Sequence, residues 1–412
     1  MNAEPATRCR FCASPLREVV ADLGVSPLAN SLLDAQRLRG PELFFPLKAY
    51  VCQRCFLVQI EAFETPDHIF EHYLYFSSYS DSWLAHCERY AEQMIRRLAL
   101  GSEDEVVEIA SNDGYLLQYF LRRGVKVLGV EPARNVAQSA IDKGVPTDVD
   151  FFGTRAADRL RNAGHAPRLM VANNVLAHVP DINDFVTGFA TLLSADGVAT
   201  FEFPSLLNLI EQTQFDTIYH EHFSYLSLSV VERIFAAHRL RVIDVEQLVT
   251  HGGSLRIYAC HAAASHPASE RVAQVRGLEA EAGLTDVETY RGFARRIVDI
   301  KCEVMEFLIR ARREGRSVVA YGAPAKGNTL LNYCGAGPEL ISFTVDRSPH
   351  KQGLWLPGSR IAVRPPEAIF ESRPDYLFIL PWNLRDEIVG QMKGIRDWGG
   401  RFVTAVPRLE VF

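Results

Sequence analysis

Short apolar runs alternate with amphipathic helical patterns through the middle of the chain, and this alternation constrains the fold more than any other feature. Five β-branched runs are predicted as strands, at residues 106–110, 125–130, 145–149, 169–173 and 198–203. Strands that alternate with helices form a parallel sheet covered on both faces, and ligands bind beyond the carboxyl ends of its strands. We therefore predict an α/β protein with a Rossmann-like central domain.

The first two of these strands carry acids suited to a nucleotide cofactor. Glu108 lies in the first strand, and Glu131 follows the second, where a carboxylate accepts hydrogen bonds from ribose hydroxyls. The intervening turn, residues 110–114, is small and polar, so its N–H groups approach a ligand. The arrangement resembles the S-adenosylmethionine site of class I methyltransferases, although only one of their usual glycines remains. A parallel strand with incidental acids is the alternative. The predicted cofactor-binding residues are Glu108, Ala110, Asn112, Gly114, Glu131 and Asn173.

The chain of 412 residues is too long for one ordinary core, so several domains are expected. We predict an N-terminal module over residues 1–80, a central domain over 81–265, and a helical linker with a second Rossmann-like domain over 266–412. The last domain begins with a strand and the turn at residues 322–329, which is no Walker loop. Its backbone amides and Lys326 suit a phosphate.

Four cysteines near the N-terminus form two Cys-x-x-Cys pairs. Zn²⁺ prefers four thiolates in a closed tetrahedral site, and a small module gains its stability from such an ion. Two redox motifs are the alternative, but neither pair follows a βαβ pattern. The predicted zinc ligands are Cys9, Cys12, Cys52 and Cys55.

Two further segments carry polar groups that suit a substrate pocket. Residues 72–80 interleave aromatic rings with hydroxyls, and they predict either a pocket or a seam between domains. Paired glycines at 252–253 precede Arg256 and suit either close approach to a phosphate-bearing ligand or a plain hairpin turn. The predicted substrate contacts are Tyr75, Ser78, Tyr79, Arg256 and Lys326.

The densest group of proton-transferring side chains is Tyr219-His-Glu-His222. The histidine spacing excludes an H-E-x-x-H zinc protease. A second metal site is a further alternative, but the sequence offers no additional ligands nearby. We interpret the segment as a proton relay in which His222 is the base and Glu221 orients its ring. A buried polar loop is the alternative. His178 follows the fourth strand and is expected at the same ligand edge.

In this order, the four cysteines, the methyltransferase-like sheet, Tyr-His-Glu-His-Phe-Ser-Tyr, His-Gly-Gly-Ser-Leu-Arg and Gly-Ala-Pro-Ala-Lys-Gly-Asn-Thr resemble the nucleotide-sugar C-methyltransferases of the tetronitrose C-3′-methyltransferase type. The resemblance covers essentially the whole chain. It implies methyl transfer from S-adenosylmethionine to a ring carbon, C-3, beside a 4-keto group of a nucleotide-linked deoxysugar. It also implies that Tyr219, Glu221 and His222 lie in the sugar pocket and are joined by His178 and Tyr73.

Composition limits the partners and the rival functions. The formal net charge of −6 disfavours a nucleic-acid-binding protein, including a zinc-containing RNA-modifying one. No apolar run is long enough for a membrane span, and no signal peptide is visible, so a cytoplasmic monomer or small homo-oligomer is expected. An O-methyltransferase remains the alternative enzyme, and an NAD(P)-dependent oxidoreductase using the C-terminal domain is a further rival.

Overall fold

The computed structural model describes residues 7–64, 78 and 81–412, and its strands form three sheets. In chain order the strands are β1 Glu18–Ser26, β2 Phe45–Val51, β3 Val58–Ile60, β4 Glu105–Ile109, β5 Lys126–Val130, β6 Thr147–Asp148, β7 Leu169–Asn173, β8 Val198–Pro204, β9 Ser224–Tyr225, β10 Leu240–Leu248, β11 Ser254–His261, β12 Val318–Tyr321, β13 Thr344–Val345, β14 Val363–Arg364, β15 Tyr376–Ile379, β16 Arg401–Thr404 and β17 Glu410–Val411. The α-helices are α1 Asp81–Leu98, α2 Leu117–Leu121, α3 Arg134–Asp142, α4 Thr154–Asn162, α5 Ile182–Leu192, α6 Leu206–Glu211, α7 Leu228–Ala237, α8 Glu270–Glu281, α9 Val287–Arg313, α10 Ala325–Cys334, α11 Ala368–Ser372 and α12 Arg385–Gln391.

The central sheet has seven strands in the order β10-β11-β8-β7-β4-β5-β6. β4 to β8 are parallel, whereas β11 runs antiparallel to both β8 and β10. The five predicted runs supply these parallel strands because β-branched residues buried on both faces suit a sheet covered by helices. After β4 the chain adds β5 and β6 on one side of that strand, and it then places β7 on the other side. A crevice for a ligand therefore opens beyond the ends of β4 and β7.

The N-terminal sheet is antiparallel, and its fourth strand comes from far along the chain. β1, β2 and β3 form a meander, and β9 pairs with β3 through Val58 opposite Tyr225. β9 belongs to the segment that we assigned to the central domain. The sheet therefore holds the Tyr-His-Glu-His segment against the N-terminal module.

The C-terminal sheet has six strands in the order β14-β13-β12-β15-β16-β17. β12 to β16 are parallel and β17 closes the sheet in the antiparallel sense. The long helix α9 buries an apolar stripe that includes Phe293, Ile300 and Phe307 in one core with β1 and with the C-terminal sheet. This shared core packs the N-terminal and C-terminal parts against each other.

Among the helices that the structure describes, none is both long and apolar enough to cross a membrane.

Candidate active site

The turn after β4 contains three of the predicted cofactor-binding residues and is called the cofactor edge below. Ala110 and Asn112 have positive φ angles of 53° and 51°, as does Gly114 at 76°. Left-handed backbone costs energy in residues other than glycine and is concentrated at functional sites. The carboxylate of Glu131 fixes this turn, since it accepts the N–H groups of Asn112 and Ala133, each at 2.9 Å.

Two buried polar side chains lie beside this turn. Glu108 and Asn173 both interact with the phenol of Tyr115. Burial raises the pKa of Glu108 well above its ordinary value and raises the pKa of Glu131 to about 7. A cationic ligand that donates hydrogen bonds would satisfy these carboxyl groups, and S-adenosylmethionine carries an ammonium group, a sulfonium and ribose hydroxyls. The residues present fit this cofactor.

His222 is held as a neutral imidazole by two hydrogen bonds. Its Nδ1 lies 2.9 Å from the carbonyl of Thr217, and its Nε2 lies 2.9 Å from the hydroxyl of Tyr219. Because a carbonyl only accepts, Nδ1 carries the proton and Nε2 presents its lone pair. Burial first, and then the charges of groups such as His178 and Lys326, lower the pKa of His222 well below its ordinary value. An imidazole in this state is ready to accept a proton.

Glu221 is placed differently from our expectation. Its two carboxylate oxygens accept hydrogen bonds from the side-chain amide of Asn30, both at 2.8 Å, and the Thr217 carbonyl orients the His222 ring instead. Residues 219–222 form a turn closed by the His222 N–H, which donates to the carbonyl of Tyr219 at 2.9 Å, and this turn directs the Glu221 carboxylate toward Asn30. Burial raises the pKa of Glu221 to about 7.

His178 lies against His222 as predicted from its position after β7. The two ring centroids are 4.7 Å apart with planes at 77°. A ring nitrogen of His178 hydrogen-bonds the backbone of Glu221, and burial lowers its pKa to about 4. Two neutral imidazoles and the Tyr219 phenol therefore meet beyond the ends of the central strands.

Lys326 enters the same site from the C-terminal domain. Its ammonium group donates to Oδ1 of Asn383 at 2.8 Å and lies 4.6 Å from the ring centroid of Trp382. The indole of Trp382 donates to the carboxylate of Asp216 at 2.8 Å. Burial lowers the pKa of Lys326 and raises that of Asp216 to about 6, despite the opposing effect of each charge on the other. These contacts close the central domain onto the C-terminal one.

His251 is a site residue that we did not predict. It has a positive φ of 57°, and its Nε2 lies 3.4 Å from Nδ2 of Asn174, itself in left-handed backbone. Its ring packs edge-on against Trp83 with centroids 5.8 Å apart, and Trp83 also contacts Tyr115 on the cofactor turn. Burial lowers the pKa of His251 to about 4. The glycine pair that follows it was the available signal, since paired glycines permit close approach to other groups.

The remaining predicted contacts are spread more widely. The guanidinium of Arg256, on β11, is buried, with Nη2 2.7 Å from Glu202 and also 2.7 Å from Nε2 of His86. Ser78 lies at the cofactor edge, 3.2 Å from Nζ of Lys143. Substrate contact by these two residues stays a prediction. Tyr73, Tyr75 and Tyr79 lie outside the described residues.

The four predicted zinc ligands converge on one point. Their sulfur atoms all lie within 4.8 Å of one another, although the two pairs are far apart in sequence. Four thiolates so close together repel unless a cation lies between them, and the set fits one tetrahedral zinc ion. Cys9, Cys52 and Cys55 also pack in the same apolar core as the central sheet.

Comparisons with known proteins agree with the order of these parts. Family models match as a zinc binding domain at residues 9–70, a methyltransferase domain at 83–245 and a C-methyltransferase C-terminal domain at 249–407. The solved structures that are similar include magnesium protoporphyrin IX methyltransferase from Synechocystis PCC 6803 with bound S-adenosylhomocysteine. It is 13% identical, with 43% of this chain and 83% of that chain covered and a TM-score of 0.35. A methyltransferase from Clostridium acetobutylicum is 12% identical, with 47% and 96% covered and a TM-score of 0.37.

The strand order, the antiparallel β11 and the acids of the first two strands define a class I S-adenosylmethionine-dependent methyltransferase. The C-methyltransferase NovU of Streptomyces niveus is 38% identical over 407 residues, which cover 99% of this chain and 97% of that protein. The chain therefore belongs to the family of zinc-binding, S-adenosylmethionine-dependent C-methyltransferases.

Proposed function

We propose that the protein methylates C-3 of a nucleotide-linked 4-keto-deoxysugar. The observation that carries this proposal is the neutral His222, whose Nε2 lone pair faces Tyr219 and whose ring meets His178 at 4.7 Å. A base of this kind is needed for methylation at carbon, since a sugar carbon becomes a nucleophile only after it loses a proton. A hydroxyl needs much weaker activation.

His222 removes the proton from the carbon beside the ketone. The carbonyl spreads the resulting charge onto its oxygen, and Nε2 takes the proton while Nδ1–H stays bound to Thr217. The new imidazolium is costly in so buried a position, and the adjacent enolate charge stabilises it. The depressed pKa of His222 thus keeps the base unprotonated before the substrate binds and favours release of the proton to solvent after methyl transfer.

Tyr219 supports the enolate oxygen, and His178 packs beside it. The Tyr219 hydroxyl now donates to Nε2 of His222, and it turns to the substrate oxygen once that nitrogen holds the substrate's proton. His178 is a neutral imidazole whose pKa is lowered to about 4 and whose single N–H is held by the backbone of Glu221, so it positions the His222 ring and leaves the donor role to Tyr219. Donors placed where charge develops lower the barrier more than donors to the ground state.

S-adenosylmethionine, when bound, would supply an electrophilic methyl group on a sulfonium. Glu131 would hold its ribose, and Glu108 with Asn173 would hold its amino-acid end. Lys326 faces the candidate active site from α10 and is suited to the diphosphate of a nucleotide sugar, with Asn383 and Trp382 fixing its ammonium group.

The test is a panel of dTDP-, GDP- and CDP-linked 4-keto-deoxysugars supplied with ¹³C-methyl S-adenosylmethionine. We expect one nucleotide class to give a product whose NMR spectrum shows the label as a C–CH₃ group on C-3. A label in an O–CH₃ group would instead establish the O-methyltransferase alternative. If none of these sugars gives a product while the protein still binds the methyl donor, the proposed substrate class is wrong.

The proton step is tested separately in D₂O with S-adenosylhomocysteine bound. Since no methyl group is available, an enolate can only be reprotonated, and we expect deuterium to appear at the carbon beside the ketone. His222→Asn should abolish this exchange. Exchange at an unchanged rate in His222→Asn would assign the base to another residue.

A further inference from the structure

Arg10 lies between two zinc ligands in sequence, but its side chain leaves the cysteine cluster. Its Nη1 donates to the carbonyl of Pro180 at 2.9 Å, and its Nη2 donates to the carbonyl of Ile60 at 2.6 Å. The guanidinium also lies 5.3 Å from the ring centroid of Phe223. One planar group thus contacts three separate segments.

Two of these segments carry the histidines of the site. Pro180 lies two residues after His178, and Phe223 follows His222 directly. The third segment is tied to the second, because the N–H of Ile60 donates to the carbonyl of Phe223 at 3.2 Å. Arg10 therefore spans the two loops whose imidazoles meet at 4.7 Å.

The main chain around Arg10 is fixed by contacts with the cysteine cluster. The side-chain amide of Gln59 donates to Sγ of Cys9 at 3.2 Å, and its oxygen accepts the N–H of Arg10 at 2.8 Å. On the other side, Asn183 donates to the carbonyls of Arg10 and Phe11 at 3.1 and 3.0 Å. A cluster closed by a metal ion would hold this main chain in place and with it the origin of the Arg10 side chain.

We propose that Arg10 is a positioning residue that couples the four-cysteine cluster to the relative placement of His178 and His222. The zinc-binding module then does more than stabilise its own fold: it sets the separation of the two imidazoles. The inference rests on the proposed roles of those histidines, but the geometric coupling is measurable without any sugar substrate.

The experiment compares Arg10→Met with Arg8→Met in the full-length, zinc-loaded protein. Arg8 lies at the same cysteine pair but is exposed, and its side chain reaches only the carbonyl of Ala13 among the contacts described. Histidine ring signals are followed by ¹H–¹⁵N NMR and assigned with His178→Asn and His222→Asn. Zinc content is measured by elemental mass spectrometry, and S-adenosylhomocysteine binding by calorimetry.

We expect Arg10→Met to retain zinc and cofactor affinity, to shift the ring signals of His178 and His222, and to leave those of the remote His165 and His266 in place. Turnover should fall about tenfold or more, because misplacing a base by a fraction of an ångström has that effect, with the KM for the methyl donor unchanged. Arg8→Met should match the wild type. Removing zinc with a chelator should move the same two signals in the wild-type protein.

Unmoved His178 and His222 signals in Arg10→Met would overturn the proposal, and so would displacement of all histidine signals together. Should Arg10→Met fold poorly, Arg10→Lys serves, since a point charge cannot span two carbonyls and the same two signals should still shift. A wild-type protein inactive on every sugar would refute the proposed substrate and leave the NMR result to decide the role of Arg10.

Discussion

The central and C-terminal domains have similar turns at the carboxyl ends of their first two parallel strands, but the two turns differ in what surrounds them. In the central domain, the acid after the second strand, Glu131, accepts two backbone N–H groups. In the C-terminal domain, Asp346 follows β13 and accepts the N–H groups of Ala323 and Ser348, both at 2.8 Å. The strand pairing is also equivalent, because Ile109 pairs with Val130 and Tyr321 pairs with Val345. Val130 and Val345 each lie one residue before the acid.

The difference lies in what fills the edge. Ala320 occupies the strand position that Glu108 has in the central domain, so this position carries no carboxyl group. The ammonium group of Lys351 donates to the carbonyl of Ala323 at 2.9 Å, and a Cβ added to Gly322 would meet Pro381 at 2.6 Å. The C-terminal edge is therefore satisfied by its own chain, and the domain instead contributes the start of α10, with Lys326, to the shared site.

The largest expected effect is on turnover, and it distinguishes the catalytic edge of the central sheet from the equivalent edge of the C-terminal sheet. We predict that His222→Asn lowers kcat by about 10²- to 10⁴-fold, the range typical for loss of a general base. Steady-state kinetics provide the measurement, and calorimetry should show unchanged donor affinity. The matched control is Lys351→Met on the C-terminal edge, for which we expect turnover near the wild-type value. A similar loss of kcat in both variants would contradict the assignment of catalysis to the central domain alone.

The next prediction concerns the two equivalent acids. Glu131→Ala should weaken the binding of S-adenosylhomocysteine about a hundredfold, because hydrogen bonds from ligand to a charged group contribute about 1.5–3 kcal/mol. Asp346→Ala should leave that affinity within about twofold of the wild type, although it also removes two backbone contacts. Calorimetric titration of both variants with S-adenosylhomocysteine measures the two affinities. Cofactor binding that depends on Asp346 would mean that the C-terminal edge is not closed.

A smaller effect tests the contribution of the C-terminal domain to the shared site. Lys326→Met should raise the KM for the nucleotide sugar about tenfold. Since the charge of Lys326 lowers the pKa of His222, its removal raises that pKa, and the acid limb of the kcat profile should move to higher pH. An unmoved acid limb, or a shift to lower pH, would show that Lys326 and His222 are not coupled.

The smallest effect is on stability. Burial raises the pKa of Glu131 from 4.5 to about 7, so the folded state binds the proton more tightly than the unfolded state. Stability without ligand should therefore fall as pH rises from about 4.5 to about 7. We expect Glu131→Gln to flatten this part of the Tm profile by a few degrees. A profile as steep in Glu131→Gln as in the wild type would assign the dependence to other buried carboxyls such as that of Glu221.

Much of this architecture follows from local sequence, and the exceptions have a physical cause. The central strands and the cysteine pairs were predictable because each depends on residues close together in the chain. The site itself depends on contacts between distant segments. Asn30 on Glu221 and Trp382 on Asp216 join different domains, and no short pattern encodes such pairings. His251 was missed because the left-handed backbone that places it becomes visible only in three dimensions.

The pairing of β9 with β3 has a consequence for synthesis of the protein. The N-terminal sheet lacks its last strand until residue 225 has left the ribosome, so the module emerges first but is completed only after most of the central domain has been made. At synthesis rates of about 5–20 residues per second, this wait lasts roughly ten seconds or more. During that interval the exposed edge of β3 needs protection from other chains, and early capture of metal by the cysteines would help to hold the unfinished module together.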